Sequence, residues 1–241
     1  QSVRSIKGVC MYERKRYSDE NGSADDGHYW ISVSDLMTSL LFIFIILLAY
    51  NILTLSKKTA VFEESFESRG KLLREVQTTL KEKSIDVDVD QKNGNMRIRS
   101  DGFFTTASAE LSDDGRRKMV IIAEVIKDRW QANAKFRDSI DTIFIEGHTD
   151  NVGERPANMK LSAQRAINTF TTMDNDTHIG EMLNRDKKPL FSFSGYADWR
   201  PINDNRTEPG RTFNSTELGR QQNRRIEFFF ALTSPQLNIQ K

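Results

Sequence analysis

The sequence predicts an α+β fold carried behind a single membrane-spanning helix. Three observations predict it. Residues 36–55 (LMTSLLFIFIILLAYNILTL) form one uncharged apolar run, and about 20 helical residues span the roughly 30 Å of a hydrocarbon core. From residue 84 onward the hydrophobic period changes to two, the mark of half-buried strands. Strand and helix patterns then follow in the order ββαβαββ, which suits a small sandwich with helices on one face of a sheet. Only 37% of the 241 residues are hydrophobic and the mean hydropathy is −0.57. That leaves room for one span and one modest water-soluble domain, and excludes a polytopic channel.

Residues 1–28 are charged and end in NGSADDG, a composition that reads as a flexible tail. The span is assigned to residues 29–56, with Tyr29, Trp30 and Tyr50 as interfacial anchors. No small-residue cleavage site follows the run, so it is expected to be retained as a signal anchor. Residues 57–83 read as a connector helix with Phe62, Phe66, Leu73, Val76 and Leu80 at near-heptad spacing. Such a stripe could pair with a second copy of the chain or lie on its own domain, and Arg69 and Gly70 interrupt it.

In the following domain, residues 84–234, Ile85, Val87 and Val89 alternate with Asp86, Asp88 and Asp90. After the turn Lys92-Asn93-Gly94, Met96 and Ile98 alternate with Arg97 and Arg99. This is a hairpin signal, with acidic and basic faces that can pair across the strands. Residues 112–130 read as a helix, 142–146 as a strand, and 156–173 as a helix with Pro156 near its first position. Residues 190–194 and 225–232 complete the sheet, and 235–241 form a C-terminal tail.

A net charge of +1 and the lack of a long basic stripe give no sign of a nucleic-acid partner. One cysteine, Cys10, precludes an intrachain disulfide. No nucleophile–base pair, metal cluster or phosphate loop stands out, so a binding protein rather than an enzyme is expected. His148 has only His28 and His178 for company, neither at ligand spacing, and reads as a structural loop residue.

Two sites carry chemistry. Asp35 is an ionisable residue at the entrance of the apolar run. Such residues are commonly kept for ion or proton handling, although Asp is also a good N-cap for a helix starting at Leu36. The second site is IEGHTDNVGERPANMKLSAQRA, residues 145–166, which leaves a strand, turns, and enters a helix. Asp150 lies near the positive end of that helix, with Thr149 beside it. Asn158, Leu161 and Arg165 share one helical face. A carboxylate facing a guanidinium across a groove can receive a zwitterion, with an ammonium on one and a carboxylate on the other. The same pair could equally close on itself as a salt bridge between Asp150 and Arg165.

The second stretch resembles the signature of the OmpA C-terminal peptidoglycan-binding domain, GHTD-x-x-G followed by N-x-x-L-S-x-x-R-A. It matches at Gly147, His148, Thr149, Asp150, Gly153, Asn158, Leu161, Ser162, Arg165 and Ala166 without a gap. Downstream, Gly195-Tyr196 resembles the family's Gly-aromatic strand end. Asn214, Thr216, Gly219, Arg220, Asn223, Arg224, Arg225 and Glu227 match N-x-T-x-x-G-R-x-x-N-R-R-x-E. Phe104 with Ser108-Ala109-Glu110-Leu111 resembles its first ligand-side loop. The resemblance implies binding of the meso-diaminopimelate of peptidoglycan stems, with Asp150 at the ammonium, Arg165 at the carboxylate, and Thr149, Asn158 and Leu161 lining the site. The chain departs from the pattern at residues 202–213, a lengthened connection holding an imperfect second copy of the motif (NRTEPGR), which leaves the role of Arg211 open.

A wall-binding domain behind one span implies a bacterial inner-membrane protein, N-terminus cytoplasmic and C-terminal domain periplasmic. That overrides the local charge count, since Lys57, Lys58, Arg69, Lys71 and Arg74 after the span favour the opposite orientation. Asp35 then lies at the cytoplasmic end, in WISVSDLMTS, which resembles the W-x-x-x-[YF]-A-D-[LF]-M-T motif of MotB-type stator subunits with Ser34 in place of Ala. The resemblance implies that Asp35 carries the ion, with Thr38 and Ser39 one turn on as further contacts. It implies as partners a homodimer of this chain and a polytopic MotA/ZorA-like ring, pentameric in that family. No cofactor is expected, and the transported ion is taken as H+ in preference to Na+. Flagellar relatives carry a proline between span and wall domain, whereas the first proline here is Pro156. The short connector and the span also point to the Zorya phage-defence type. A flagellar stator subunit and a static tether of the OmpA/Pal kind are the alternatives.

Overall fold

The computed structural model describes residues 23–105, 107–203 and 207–234, with side chains from Tyr29 onward and none for Arg211. The tails at 1–22 and 235–241, and residues 204–206 of the lengthened connection, lie outside the described residues. The chain divides into two compact units with the boundary between Ser56 and Lys57.

Helix α1 (Ser23–Glu82) is continuous. It begins within the stretch read as tail, so residues 23–28 are helical. Asp35 is consequently an interior helical residue, and its reading as the N-cap of a helix starting at Leu36 is corrected. No Pro or Gly falls between Tyr29 and Arg69, so no backbone signal stops the helix where the hydropathy changes. The apolar side chains between Leu36 and Leu55 are exposed. Among the described residues, this is the one helix long and apolar enough to cross a membrane.

The second unit is α+β, as the sequence predicts. Its sheet has the order β1-β2-β5-β3-β4, built from β1 (Asp88–Asp90), β2 (Asn95–Arg99), β3 (Ile140–Gly147), β4 (Phe191–Gly195) and β5 (Arg225–Leu232). β3 and β4 run parallel across the crossover helix, and the other pairs are antiparallel. Helices α2 (Asp113–Ala132), α3 (Ala134–Ser139), α4 (Arg155–Thr177), α5 (Glu208–Ser215) and α6 (Glu217–Asn223) complete the domain. The hairpin pairs as its charge pattern predicts: Asp88 opposes Arg97, whose guanidinium reaches Asp88 at 3.4 Å and Asp90 at 3.8 Å.

One face of the sheet supplies Met96, Ile98, Ile143, Ile145, Phe228 and Phe230 to the core. These meet Met119, Ile122 and Ile126 of α2 and Ala166 and Met173 of α4. The end of α1 joins the same core, with Leu73, Val76 and Leu80 each at 0% exposure. The C-terminal half of the heptad-like stripe therefore lies on its own domain and offers no seam to a second chain, while Phe62 stays exposed. Arg69, read from sequence only as an interruption, is buried. It donates to the carbonyls of Lys92 (2.9 Å) and Phe230 (3.2 Å), clamping α1 to the hairpin turn and β5.

The lengthened connection folds as a repeat. Thr207 caps α5 by accepting the Gly210 N–H at 3.2 Å, and Thr216 caps α6 by accepting the Gly219 N–H at 3.1 Å. The tandem copies T-E-P-G-R and T-E-L-G-R thus produce two successive capped helical turns, since threonine is a favoured N-cap.

Candidate functional site

Because β5 lies between β2 and β3, the start of β5 sits beside the ends of both. Ser100 N–H donates to the Arg224 carbonyl at 2.8 Å, and His148 N–H donates to the Arg225 carbonyl at 3.0 Å. Three segments far apart in sequence, 100–105, 148–153 and Arg224, are brought to one sheet end. Helix α4 then closes over it, which requires bare backbone beneath. A Cβ on Gly147 would lie 2.0 Å from the Ser162 carbonyl oxygen, and one on Gly195 would lie 2.3 Å from the Ala163 nitrogen. The Ser162 hydroxyl fixes the contact, accepting the Ala197 N–H at 3.0 Å and donating to the Met159 carbonyl.

The result is a cavity of about 500 Å³ lined by all five residues singled out in this stretch, Thr149, Asp150, Asn158, Leu161 and Arg165, together with Phe104, Asp101 and Arg224. Thr149 holds the loop, its hydroxyl donating to the Asp150 carbonyl at 3.1 Å and its N–H to the Ala197 carbonyl. Asn158 Nδ2 donates to the Val152 carbonyl at 2.9 Å. Asp150 Oδ1 accepts the Val152 N–H at 3.1 Å.

Arg165 is only 5% exposed. Its Nε donates to the Ser108 carbonyl at 2.9 Å, and its guanidinium lies 5.1 Å from the centre of the Phe104 ring. Its two terminal nitrogens have no hydrogen-bond partner among the described residues. Burial lowers its pKa, with nearby Asp101 opposing and Arg224 adding to the shift, yet an arginine stays charged at neutral pH.

Asp150 does not pair with Arg165, so the closed salt bridge foreseen as one outcome is absent. It pairs instead with Arg224 at 2.7 Å, a residue the sequence reading matched to a motif but gave no role. Burial opposes the charge on Arg224, but hydrogen bonds to Asp150, Asp101 and Glu217 outweigh it and raise the pKa. The cavity therefore carries carboxylates at one end and a buried guanidinium with spare donors at the other.

His148 lies beneath the loop at 1% exposure, stacked on Tyr196 at 5.6 Å. Its Nε2 is 3.7 Å from Glu146 and 3.8 Å from Glu227. Those carboxylates are engaged by Arg200, Arg97 and Arg225. No group of three potential metal ligands occurs among the described residues.

In the first unit, Asp35, Thr38 and Ser39 are exposed on α1, at spacings that share a helical face. Thr38 donates its hydroxyl to the Ser34 carbonyl at 2.7 Å, leaving the oxygen lone pairs as acceptors. Asp35 has no partner among the described residues.

This fold and cavity define the class: residues 103–215 match the OmpA family, and the C-terminal domain is OmpA-like. Over 120 residues the chain is 32% identical to Outer membrane protein Omp38 of Acinetobacter baumannii, covering 50% of this chain and 29% of that protein. The chain thus spans under a third of the length of that relative. It is 25% identical over 157 residues to Motility protein B of Bacillus subtilis (64% of this chain, 52% of that protein). To Zorya protein ZorB of Escherichia coli O139:H28 it is 22% identical over 163 residues (66% and 64%). The cell wall anchor of the T6SS from Pseudomonas aeruginosa aligns with a TM-score of 0.45 at 23% identity, over 68% of this chain and 99% of that one. The chain is thus similar to MotB-type proteins, and its C-terminal domain to the OmpA family.

Proposed function

We propose that this chain is the wall-anchored B subunit of an ion-driven motor in the bacterial inner membrane. The observation that carries the reading is Asp35: a carboxyl with no partner among the described residues, inside a continuous helix at the entrance of an exposed apolar run. It shares its chain with a cavity offering carboxylate and guanidinium ends. In this reading the N-terminus is cytoplasmic and the C-terminal domain periplasmic. Two copies thread a polytopic MotA/ZorA-like ring, and Asp35 takes up and releases H+ as its contacts with that ring change. Desolvation between apolar helices disfavours a charged carboxylate, which permits protonation and release in alternation. Thr38 and Ser39 assist as hydrogen-bonding neighbours.

The C-terminal domain holds peptidoglycan. The free nitrogens of Arg165 take the side-chain carboxylate of meso-diaminopimelate, Asp150 takes its ammonium, and Thr149, Asn158 and Leu161 shape the walls. The ligand is bound and not cut, so the chain is not an enzyme. The task we propose is anti-phage defence of the Zorya type, supported by the proline-free stretch before Pro156 and the likeness to ZorB.

The test is to purify the chain from membranes with the products of its neighbouring genes and image the complex. Two copies inside a polytopic ring, with Asp35 against it, are expected. A lone chain or dimer with Asp35 at the lipid surface would make it a static tether. Defence helicase or nuclease genes beside it, rather than flagellar genes, are expected for the Zorya task.

A further inference from the structure

The carboxylate assigned to the ligand's ammonium is already occupied. Asp150 Oδ2 accepts Nη1 of Arg224 at 2.7 Å. The far side of the same guanidinium is held by two other carboxylates. Nε and Nη2 reach Asp101 at 3.4 and 3.3 Å, and Nη2 reaches Glu217 at 3.0 Å. Asp101 follows β2, Asp150 follows β3 and Glu217 opens α6, so three separate segments converge on one cation. The backbone of Arg224 is fixed as well, its carbonyl accepting the Ser100 N–H. The side chain itself remains 24% exposed and borders the cavity.

This arrangement divides the five donors of the guanidinium between a site that a ligand needs and two that it does not. Asp101 and Glu217 side chains are more than half exposed, at 55% and 57%, whereas Asp150 is 13% exposed. The buried end is where a charge-assisted bond is strongest and where an unpaired carboxylate is costliest. With the pocket empty, Arg224 removes that cost.

Building on the peptidoglycan-binding reading, we infer that Arg224 is a resident substitute for the ligand's ammonium, and so determines the affinity and selectivity of the site. When an ammonium docks on Asp150, Nη1 withdraws and the guanidinium stays with Asp101 and Glu217, so neither cation is left without a partner. An uncharged group in the same position cannot replace what Asp150 gives up. The site therefore selects stems whose side-chain amine is free over stems in which it is acylated.

The experiment is calorimetric titration of the full chain in detergent with the tripeptide L-Ala-D-Glu-meso-diaminopimelate, for wild type and Arg224→Gln. With melting temperatures matched, the variant is expected to bind about tenfold tighter, since it has no competitor for Asp150. Equal or weaker binding by a folded variant overturns the inference and leaves the wall-binding reading intact. No binding by wild type removes both. Should the variant fail to fold, the ¹⁵Nη1 resonance of Arg224 in wild type decides, since Nη1 is the atom that leaves Asp150. It is expected to shift on saturation with the tripeptide, and an unmoved resonance overturns the proposal.

Discussion

Two aspartates show how differently the two units of this chain are built. Asp35 lies exposed at the start of a stretch of α1, Leu36 to Leu55, whose apolar side chains are exposed, and it has no partner among the described residues. Asp150 is 13% exposed and held by a guanidinium and a backbone N–H. The first unit buries almost nothing, and in the proposed function lipid and another protein surround it, because lone carboxyls in membranes are expensive. The second closes its own core and pairs the charge of Asp150 internally. On that reading one region is a component completed by assembly. The other is complete within one chain.

Substitutions can break this comparison, beginning with the largest effect. Asp35→Asn is expected to abolish ion-driven output while leaving assembly and the melting of the C-terminal domain unchanged. Ion flux in reconstituted vesicles is the readout, and undiminished flux would falsify the carrier role. Leu73→Ala tests whether the end of α1 belongs to the domain core. A loss of about 2–5 kcal/mol is expected for a buried leucine, and it should not depend on protein concentration. A concentration-dependent loss would restore the dimer seam.

Arg165→Ala should weaken binding of the diaminopimelate tripeptide by about 10- to 100-fold, the scale of losing hydrogen bonds to a charged group, with little change in fold. The smallest effect concerns pH. Burial lowers the pKa of His148 below its ordinary 6.5, with Arg225 adding to the shift and Glu146 and Glu227 opposing it. The unfolded chain therefore binds this proton more readily than the folded one. Stability is fully present above pH 6.5 and declines as pH falls from there towards the folded-state pKa. Denaturant melts of His148→Asn between pH 7.5 and 5.5 should show a shallower decline than wild type.

Legibility in the sequence follows from the distance over which each feature is encoded. The hairpin is local, and Asp88 meets Arg97 because both alternations are written within a dozen residues. The wall of the cavity from Thr149 to Arg165 is likewise one strand–turn–helix segment. Arg224 was missed as the partner of Asp150 because only the insertion of β5 between β2 and β3 brings them together. Arg69 was missed for the same reason, since its acceptors Lys92 and Phe230 sit on opposite sides of the domain's sequence. The continuity of α1 was obscured by a different cause. Hydropathy marks where the solvent changes, and a helix ends only where the backbone is told to stop.

The tandem caps at Thr207 and Thr216 have a further consequence. Each copy starts its own helical turn with its own threonine, and the second, packed on the end of the first, delivers the chain to Arg224 and β5: Asn223 Nδ2 donates to Asn214 Oδ1 at 3.1 Å, and a Cβ on Gly219 would lie 2.1 Å from the Phe213 carbonyl oxygen. The approach to Arg224 is thus built by repetition, in a part of the sequence separate from the Thr149–Arg165 segment that forms the cavity wall. Its length and the charges inside are written in different places.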